Sequence, residues 1–291
     1  MENNKIIDLH SHSVYSDGEL TPIELLNLAK ENNIGIYAIT DHDVLGGIKD
    51  LRENHQKEIN ESGIKIINGI ELTAKVDKGI MHILGYNIDI YNKELNDKLE
   101  ELNTNSIYSI ISYLNDLRIN YNISFKQQDI AELFNKIGNI GRPHIAKLLI
   151  KYGYVNSVKE AFDKYLIDVY NRQRKNNKKI SSKECIELIK NAGGFAILAH
   201  PYSLELSDEE LLENIKELIS YGLDRIEVYH SNISEENRMY YMQIVKDNNL
   251  LYSAGSDFHG IHVKPDIELG HGINNNLNIK DVSLIKKISK L

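Results

Sequence analysis

Seven short apolar runs, starting at Ile6, Gly35, Lys65, Ile80, Phe195, Arg225 and Leu250, constrain the fold of this chain more than any other feature. Six of them lead straight into a histidine, aspartate or glutamate, and the one starting at Ile80 carries His82 within it. Runs of this length, bounded by turn-forming residues, read as strands buried on both faces. Helical patterns separate most of them, which predicts a largely parallel sheet joined by right-handed crossovers. An open doubly wound sheet would gather its chemistry at one crevice. Here reactive side chains stand at strand ends all along the sequence, as they do in a closed β/α barrel whose C-terminal rim collects them.

The segments between the strands carry helix signals. Thr21-Pro22-Ile23-Glu24 combines an N-cap, a first-position proline and a capping glutamate, and Ser181-x-x-Glu184 and Ser207-x-x-Glu210 repeat the capping box. Single helices are predicted over 47–60 and 235–248. From 91 to 179 the alternation stops: helices are predicted over 93–118, 125–136 and 144–151 and after Ser157-x-x-Glu160, with no strand. The expected organisation is a barrel built from residues 1–90 and 180–291 with a helical insertion subdomain over 91–179. The basic stretch 171–179 reads as an exposed loop, and a weak amphipathic helix is predicted over 280–291.

A formal charge of −8 over 291 residues argues against duplex DNA or an anionic membrane as a non-specific partner. No stretch approaches 18 uncharged apolar residues and the first residues show no secretory pattern, so a cytoplasmic protein is expected. Cys185 is the single cysteine, which excludes an internal disulfide, fits a reducing compartment and places the thiol on the apolar face of a helix.

His10 and His12 alternate along one strand and so point to one side, with Asp17 close by in sequence. His42, Glu71, His82, His200, Asp257 and His259 complete a set of six imidazoles and three carboxylates without a thiolate. That mixture suits Mn, Fe or Zn rather than a cysteine-rich structural zinc or an all-oxygen calcium site. The set exceeds what one ion takes from protein, so two to three divalent metal ions are expected. Such ions would make a locally positive trap for phosphate inside an acidic protein.

These residues fall into an ordered series: Asp8-Leu9-His10-Ser11-His12, Ser16-Asp17-Gly18, Thr40-Asp41-His42, Gly69-Ile70-Glu71, His82, Ala199-His200-Pro201 and Ser256-Asp257-Phe258-His259. Over nearly the whole chain the series resembles the PHP (polymerase and histidinol phosphatase) superfamily of metal-dependent phosphoesterases. The resemblance implies a distorted (β/α)7 barrel of the PHP type, an α/β fold, with up to three divalent metals. It implies that His10, His12, Glu71 and Asp257 hold one ion, that Glu71 bridges to a second held by His82 and His200, and that Asp17, His42 and His259 hold a third.

Gly141-Arg142-Pro143-His144, inside the helical insertion, is similar to the branch that hydrolyses nucleoside 3′,5′-bisphosphates and trims short RNA from its 5′ end. The resemblance implies that Arg142 and His144 bind substrate phosphate, and that the substrate is a small nucleotide or a short RNA. Glu71, Asp257, His200, Arg142 and His230 are the expected catalytic residues, with His230 also a candidate to touch substrate. Histidinol-phosphate phosphatase is the rival activity, and a non-catalytic, metal-stabilised scaffold the rival class. Arg142 has a second reading as the partner of a carboxylate in the insertion, and His144 as a third histidine on the second ion or an ordinary helix-start residue. Asp8, Asp41 and Asp43 read as residues that orient ligands or cap turns, His55 as a solvated helix residue, and Glu227, His262 and His271 lie outside the ligand set. Nothing in the sequence requires more than a monomer.

Overall fold

Isoleucine, leucine and alanine fill the strands, so the polar residues that follow them are delivered to one rim. The structure, a computed structural model, describes residues 5–173 and 179–280. Seven strands stand side by side in sequence order: β1 (Ile6–Asp8), β2 (Ile34–Ile39), β3 (Lys65–Ala74), β4 (Met81–Tyr86), β5 (Phe195–Leu198), β6 (Arg225–His230) and β7 (Leu251–Gly255). Parallel pairing joins β1 to β2, β2 to β3, β5 to β6 and β6 to β7. β4 runs antiparallel to both of its neighbours, β3 and β5.

A seam between the ends of β1 and β7 turns the sheet into a nearly closed barrel. Leu9 N–H donates to Ala254 O at 3.1 Å, Asp257 N–H to His10 O at 2.8 Å and His12 N–H to Phe258 O at 2.9 Å. At Gly255 a Cβ would run into His10, so the close approach at this seam requires glycine. Ile7, Leu9, Ile36, Leu84, Tyr86 and Ile197 pack inside the barrel. The outer faces of the strands pack on α1 (Pro22–Glu31), α2 (Gly46–Asn54), α3 (Gln56–Ser62), α9 (Ser182–Asn191), α10 (Asp208–Tyr221) and α11 (Glu235–Asp247). The capping boxes expected at Thr21, Ser181 and Ser207 are all made, and Cys185 is buried on the apolar face of its helix.

Three expectations are corrected. The helix predicted over 47–60 is two helices, because His55, at φ −129° and ψ 29°, leaves helical geometry between them. Between Leu51 and Ile59 every side chain is polar, so no apolar contact holds a continuous helix against the core there. β3 does not stop before Glu71 but continues to Ala74, since β4 supplies an antiparallel partner for Gly69–Ala74. Residues 171–173 are not loop: they end α8 (Ile167–Gln173), and Arg172 is anchored by a two-pronged pair with Asp116, at 2.6 and 3.1 Å. The rest of that basic stretch up to 178, and the tail helix expected beyond Lys280, lie outside the described residues.

The segment after β4 consists, in its described part, of helices joined by loops: α4 (Lys93–Tyr121), α5 (Gln127–Phe134), α6 (Arg142–Lys151), α7 (Val158–Ala161), one π-helical turn (Phe162–Leu166) and α8. Leu95, Leu99 and Leu102 of α4 join the barrel core, whereas Ile110, Tyr113 and Leu117 pack with Ile145, Leu149 and Val169 in a second apolar cluster. Among the described residues no helix is long and apolar enough to cross a membrane.

Candidate metal centre

At the rim, the strand-end residues converge on one carboxylate. Glu71 is fully buried, with Oε2 3.1 Å from His10 Nε2, 3.1 Å from His12 Nε2 and 3.3 Å from His42 Nδ1. Its other oxygen, Oε1, lies 2.8 Å from His82 Nδ1 and 3.1 Å from His200 Nε2. Asp257 Oδ1 lies 3.2 Å from His12 Nε2 and 3.5 Å from His10 Nε2. Asp17 Oδ1 is 3.3 Å from His259 Nε2 and 3.7 Å from His12 Nδ1. Two of the resulting groups, His10–His12–Glu71–Asp257 and His12–Asp17–His42–His259, each place four ligand-type atoms within 4.8 Å of one another, and His42–Glu71–His82 places three. All nine residues of the expected ligand set are thus brought together.

The loops that carry these side chains are held in unusual backbone conformations. His200 (φ 25°) and Asp257 (φ 58°) both occupy the left-handed region, where a side chain is disfavoured. Asp8 accepts N–H bonds from His10, Ser256 and Gly270, and Asp41 accepts from the Ser13 N–H and from the hydroxyls of Ser13 and Ser16. Asp43 accepts from the Thr73 N–H. These three aspartates cap and brace the rim loops.

The electrostatics suit a bound cation. Burial alone would raise the Glu71 carboxyl, but the imidazoles beside it, His42 and His10 foremost, outweigh it and hold the group well below the usual carboxylate range. Asp257 behaves likewise, with Lys264 and the neighbouring imidazoles overcoming burial. Burial pushes His82 down to about 3 and His259 down to about 4, the latter helped by Lys264 and His12. Both rings are therefore neutral, the form that donates a lone pair to a metal. Three buried atoms within the cluster, His12 Nε2, Asp17 Oδ1 and His42 Nδ1, make no hydrogen bond among the described residues. Buried polar atoms rarely stay unsatisfied, and cations held within the cluster would satisfy them. The cluster is compatible with metal binding.

Two residues prove more deeply involved than their sequence position suggests. Glu227, left outside the ligand set, is fully buried, accepts from His10 Nδ1 at 2.9 Å and from the His200 N–H at 2.8 Å. It fixes the His10 tautomer so that Nε2 faces Glu71. His230, expected to touch substrate, is fully buried; its Nδ1 accepts from the Asn232 N–H, so Nε2 carries the proton that faces Asp257 Oδ2 at 3.3 Å. The group His10–Glu227–His230 is accordingly a hydrogen-bonded support for the cluster. Lys264, from the loop after β7, donates to Asp257 Oδ2 at 2.5 Å; no periodicity in its neighbourhood signals it.

A cavity of about 590 Å³ opens from the cluster toward the insertion, and Arg142, His144 and Lys264 all line it. Arg142 makes no ion pair with a carboxylate among the described residues; its guanidinium lies 4.6 Å from the Tyr170 ring centre and 5.4 Å from that of Phe162. His144 is buried, accepts from the Gly141 N–H at 3.0 Å through Nδ1, and has its Nε2 2.6 Å from Lys136 Nζ. Its ring belongs to the insertion's own polar contacts and to none of the metal-type groups. Burial pushes Lys136 down to about 8, and the same ammonium donates to Ser16 O at 2.9 Å. The insertion grips the Asp17 loop further through Asn139, whose N–H donates to Tyr15 O at 2.8 Å and whose side chain donates to His42 O at 3.2 Å. His262 pairs with Glu19 at the surface, away from the cluster.

The pattern of the PHP domain matches residues 8–250 of this chain. The 5′-3′ exoribonuclease Rnm of Escherichia coli is 32% identical over 275 residues, which cover 91% of this chain and 88% of that protein. The 3′,5′-nucleoside bisphosphate phosphatase of Chromobacterium violaceum is 28% identical over 261 residues, 87% of each chain. Among solved structures, a protein of Bifidobacterium adolescentis described as a metal-dependent phosphoesterase superposes with a TM-score of 0.80 at 26% identity, covering 98% of this chain and 95% of that one.

Proposed function

This chain belongs to the PHP domain family and is a metal-dependent hydrolytic phosphoesterase, and from that premise we propose that it removes phosphate from nucleoside 3′,5′-bisphosphates and from the 5′ ends of short RNA. The observation that carries this reading is the division of Glu71, whose two oxygens face different sets of imidazoles, among them His42, His82 and His200 lining a cavity large enough for a nucleotide. The names of the relatives, an exoribonuclease and a nucleoside bisphosphate phosphatase, support it.

We assign His10, His12, Glu71 and Asp257 to one ion, Glu71, His82 and His200 to a second, and Asp17, His42 and His259 to a third. The ions are Mn, Fe or Zn, since imidazole and carboxylate ligands suit all three. When bound, such ions polarise a phosphoryl group and make water a nucleophile near neutral pH. The chain's own residues do the rest. Glu227 holds His10 with its lone pair toward the cluster, and His230 steadies Asp257. Lys264 and Arg142 add positive charge along the cavity for the non-reacting oxygens of the substrate. Residues 91–179 act as a subdomain, the described part of which lines this cavity, and the enzyme works in the cytoplasm.

Side-by-side turnover of adenosine 3′,5′-bisphosphate and histidinol phosphate tests the reading, with released phosphate and protein-bound metal measured together. The bisphosphate is expected to be hydrolysed far faster. Glu71→Ala is expected to lose metal and to lower kcat/KM by more than about a hundredfold, because even the residues behind a metal ligand are worth ten- to a hundredfold. Preference for histidinol phosphate, or normal activity and metal content in the variant, refutes the assignment.

A further inference from the structure

The three proposed ion sites differ in what holds their ligands in place. Those around Glu71 are braced from the barrel itself. Glu227 accepts from His10 Nδ1 and from the His200 N–H, the Asp257 N–H donates to His10 O, and the Ala199 N–H donates to His82 O at 3.1 Å. Of the third site, only His259 is held in this way, its Nδ1 lying 2.9 Å from Asp257 O. Asp17 and His42 stand on the loops that follow β1 and β2, and both line the cavity shared with the insertion.

The insertion takes hold of these two loops by their backbone. Lys136 Nζ donates to Ser16 O at 2.9 Å, Lys147 Nζ to Asp17 O at 3.5 Å, the Asn139 N–H to Tyr15 O at 2.8 Å and the Asn139 amide to His42 O at 3.2 Å. Asp41 braces the first loop from the barrel side through Ser13 and Ser16. The donors on the carbonyls of Asp17 and His42, however, come from the insertion. Asn139 is nine-tenths buried and its Oδ1 makes no hydrogen bond among the described residues, so its amide is engaged through the bond to His42 O. A donor on such a carbonyl fixes the peptide from which a ligand side chain springs, and sets how far Asp17 and His42 stand from His259.

We propose that the insertion builds the third ion site: Asn139 and Lys136 are positioning residues that hold Asp17 and His42 for that ion, while the sites around Glu71 form without them. The proposal rests on the three-ion assignment above and adds the dependence of one site on residues outside the barrel. Linkage makes the dependence reciprocal, so an ion in the third site steadies the insertion against the barrel. Occupancy of that one site then decides how firmly this wall of the cavity stands.

The test is elemental analysis of the full chain equilibrated with graded free Mn. The wild type is expected to take up three equivalents. Asn139→Ala and Lys136→Met each remove a donor and leave every ligand in place. They are expected to weaken the third equivalent by about ten- to a hundredfold and to leave the first two within about threefold of the wild type. Asp17→Ala marks the site: adding Asn139→Ala to it is expected to change the Mn content no further. Hydrogen exchange over residues 136–147 is expected to slow when the third equivalent binds to the wild type, and not when the first two do. A third equivalent that binds both variants as it binds the wild type overturns the inference alone. So does loss of all equivalents together, since the insertion would then support the whole cluster. Fewer than three equivalents in the wild type overturns the three-ion assignment and the inference with it. No arm uses a phosphate ester, so a substrate other than a nucleotide leaves the inference standing.

Discussion

A carboxylate wholly removed from water and ringed by five imidazoles is stable only if positive charge is near it. At Glu71 that charge comes from protonated rings in the metal-free protein: burial works against His12, but the carboxylates of Asp257, Glu71 and Asp17 beside it raise it to about 9. Binding of a cation must therefore expel protons, so metal affinity is expected to rise with pH, and titration of metal-free protein with Mn in a weakly buffered solution should acidify it. No proton release on metal binding would contradict the ligand assignment. Glu227 gives a second prediction at this scale. Glu227→Gln removes the charge behind His10 but keeps the shape, and kcat/KM and metal content are expected to fall by roughly ten- to a hundredfold with the fold intact by circular dichroism. A variant with wild-type metal content would show that the carboxylate is only a core residue.

Among the elements, β4 explains a peculiarity of the sequence. Five of the sequence runs lead into an expected ligand at their end and the run of β6 ends in His230, but His82 is the second residue of β4. The strand runs in reverse, so its beginning rather than its end lies at the rim, beside Thr73 of β3. The chain then leaves β4 at the opposite end of the barrel and must climb back. α4 makes the climb: its 29 residues span about 44 Å at 1.5 Å each, joining the barrel core at one end and the insertion's cluster at the other. The insertion lands on the Asp17 loop through Gly138, where φ is 84° and a Cβ would run into Tyr15 O. Gly138→Val is expected to lift this latch and lower kcat/KM by up to about a hundredfold, while hydrogen exchange speeds up over residues 13–18 and not within the insertion's own cluster. Strand number, the histidines and carboxylates that gather at the rim and most helix starts were legible in the sequence because each rests on local pattern or capping. The split at His55, the reach of β3 past Glu71 and the parts played by Glu227, Lys136 and Lys264 were not, because each depends on a partner distant in the chain.

At the scale of the whole molecule, stability and chemistry meet at one place. With ions at about a hundred times their dissociation constant, each site is expected to add about 2.7 kcal/mol, which corresponds to a rise of several degrees in Tm for a chain of this size. A thermal scan with and without chelator measures this directly, and an unchanged Tm would mean that the cluster holds nothing in solution. The seam that closes the barrel runs through the same residues: His10 and Asp257 are joined through their backbones as well as facing one another through their side chains. A cylinder with this construction has no separate clasp. Stripping the ions therefore loosens the wall where its first and last staves touch, and a cell short of metal would hold a protein that is at once idle and easier prey for proteases.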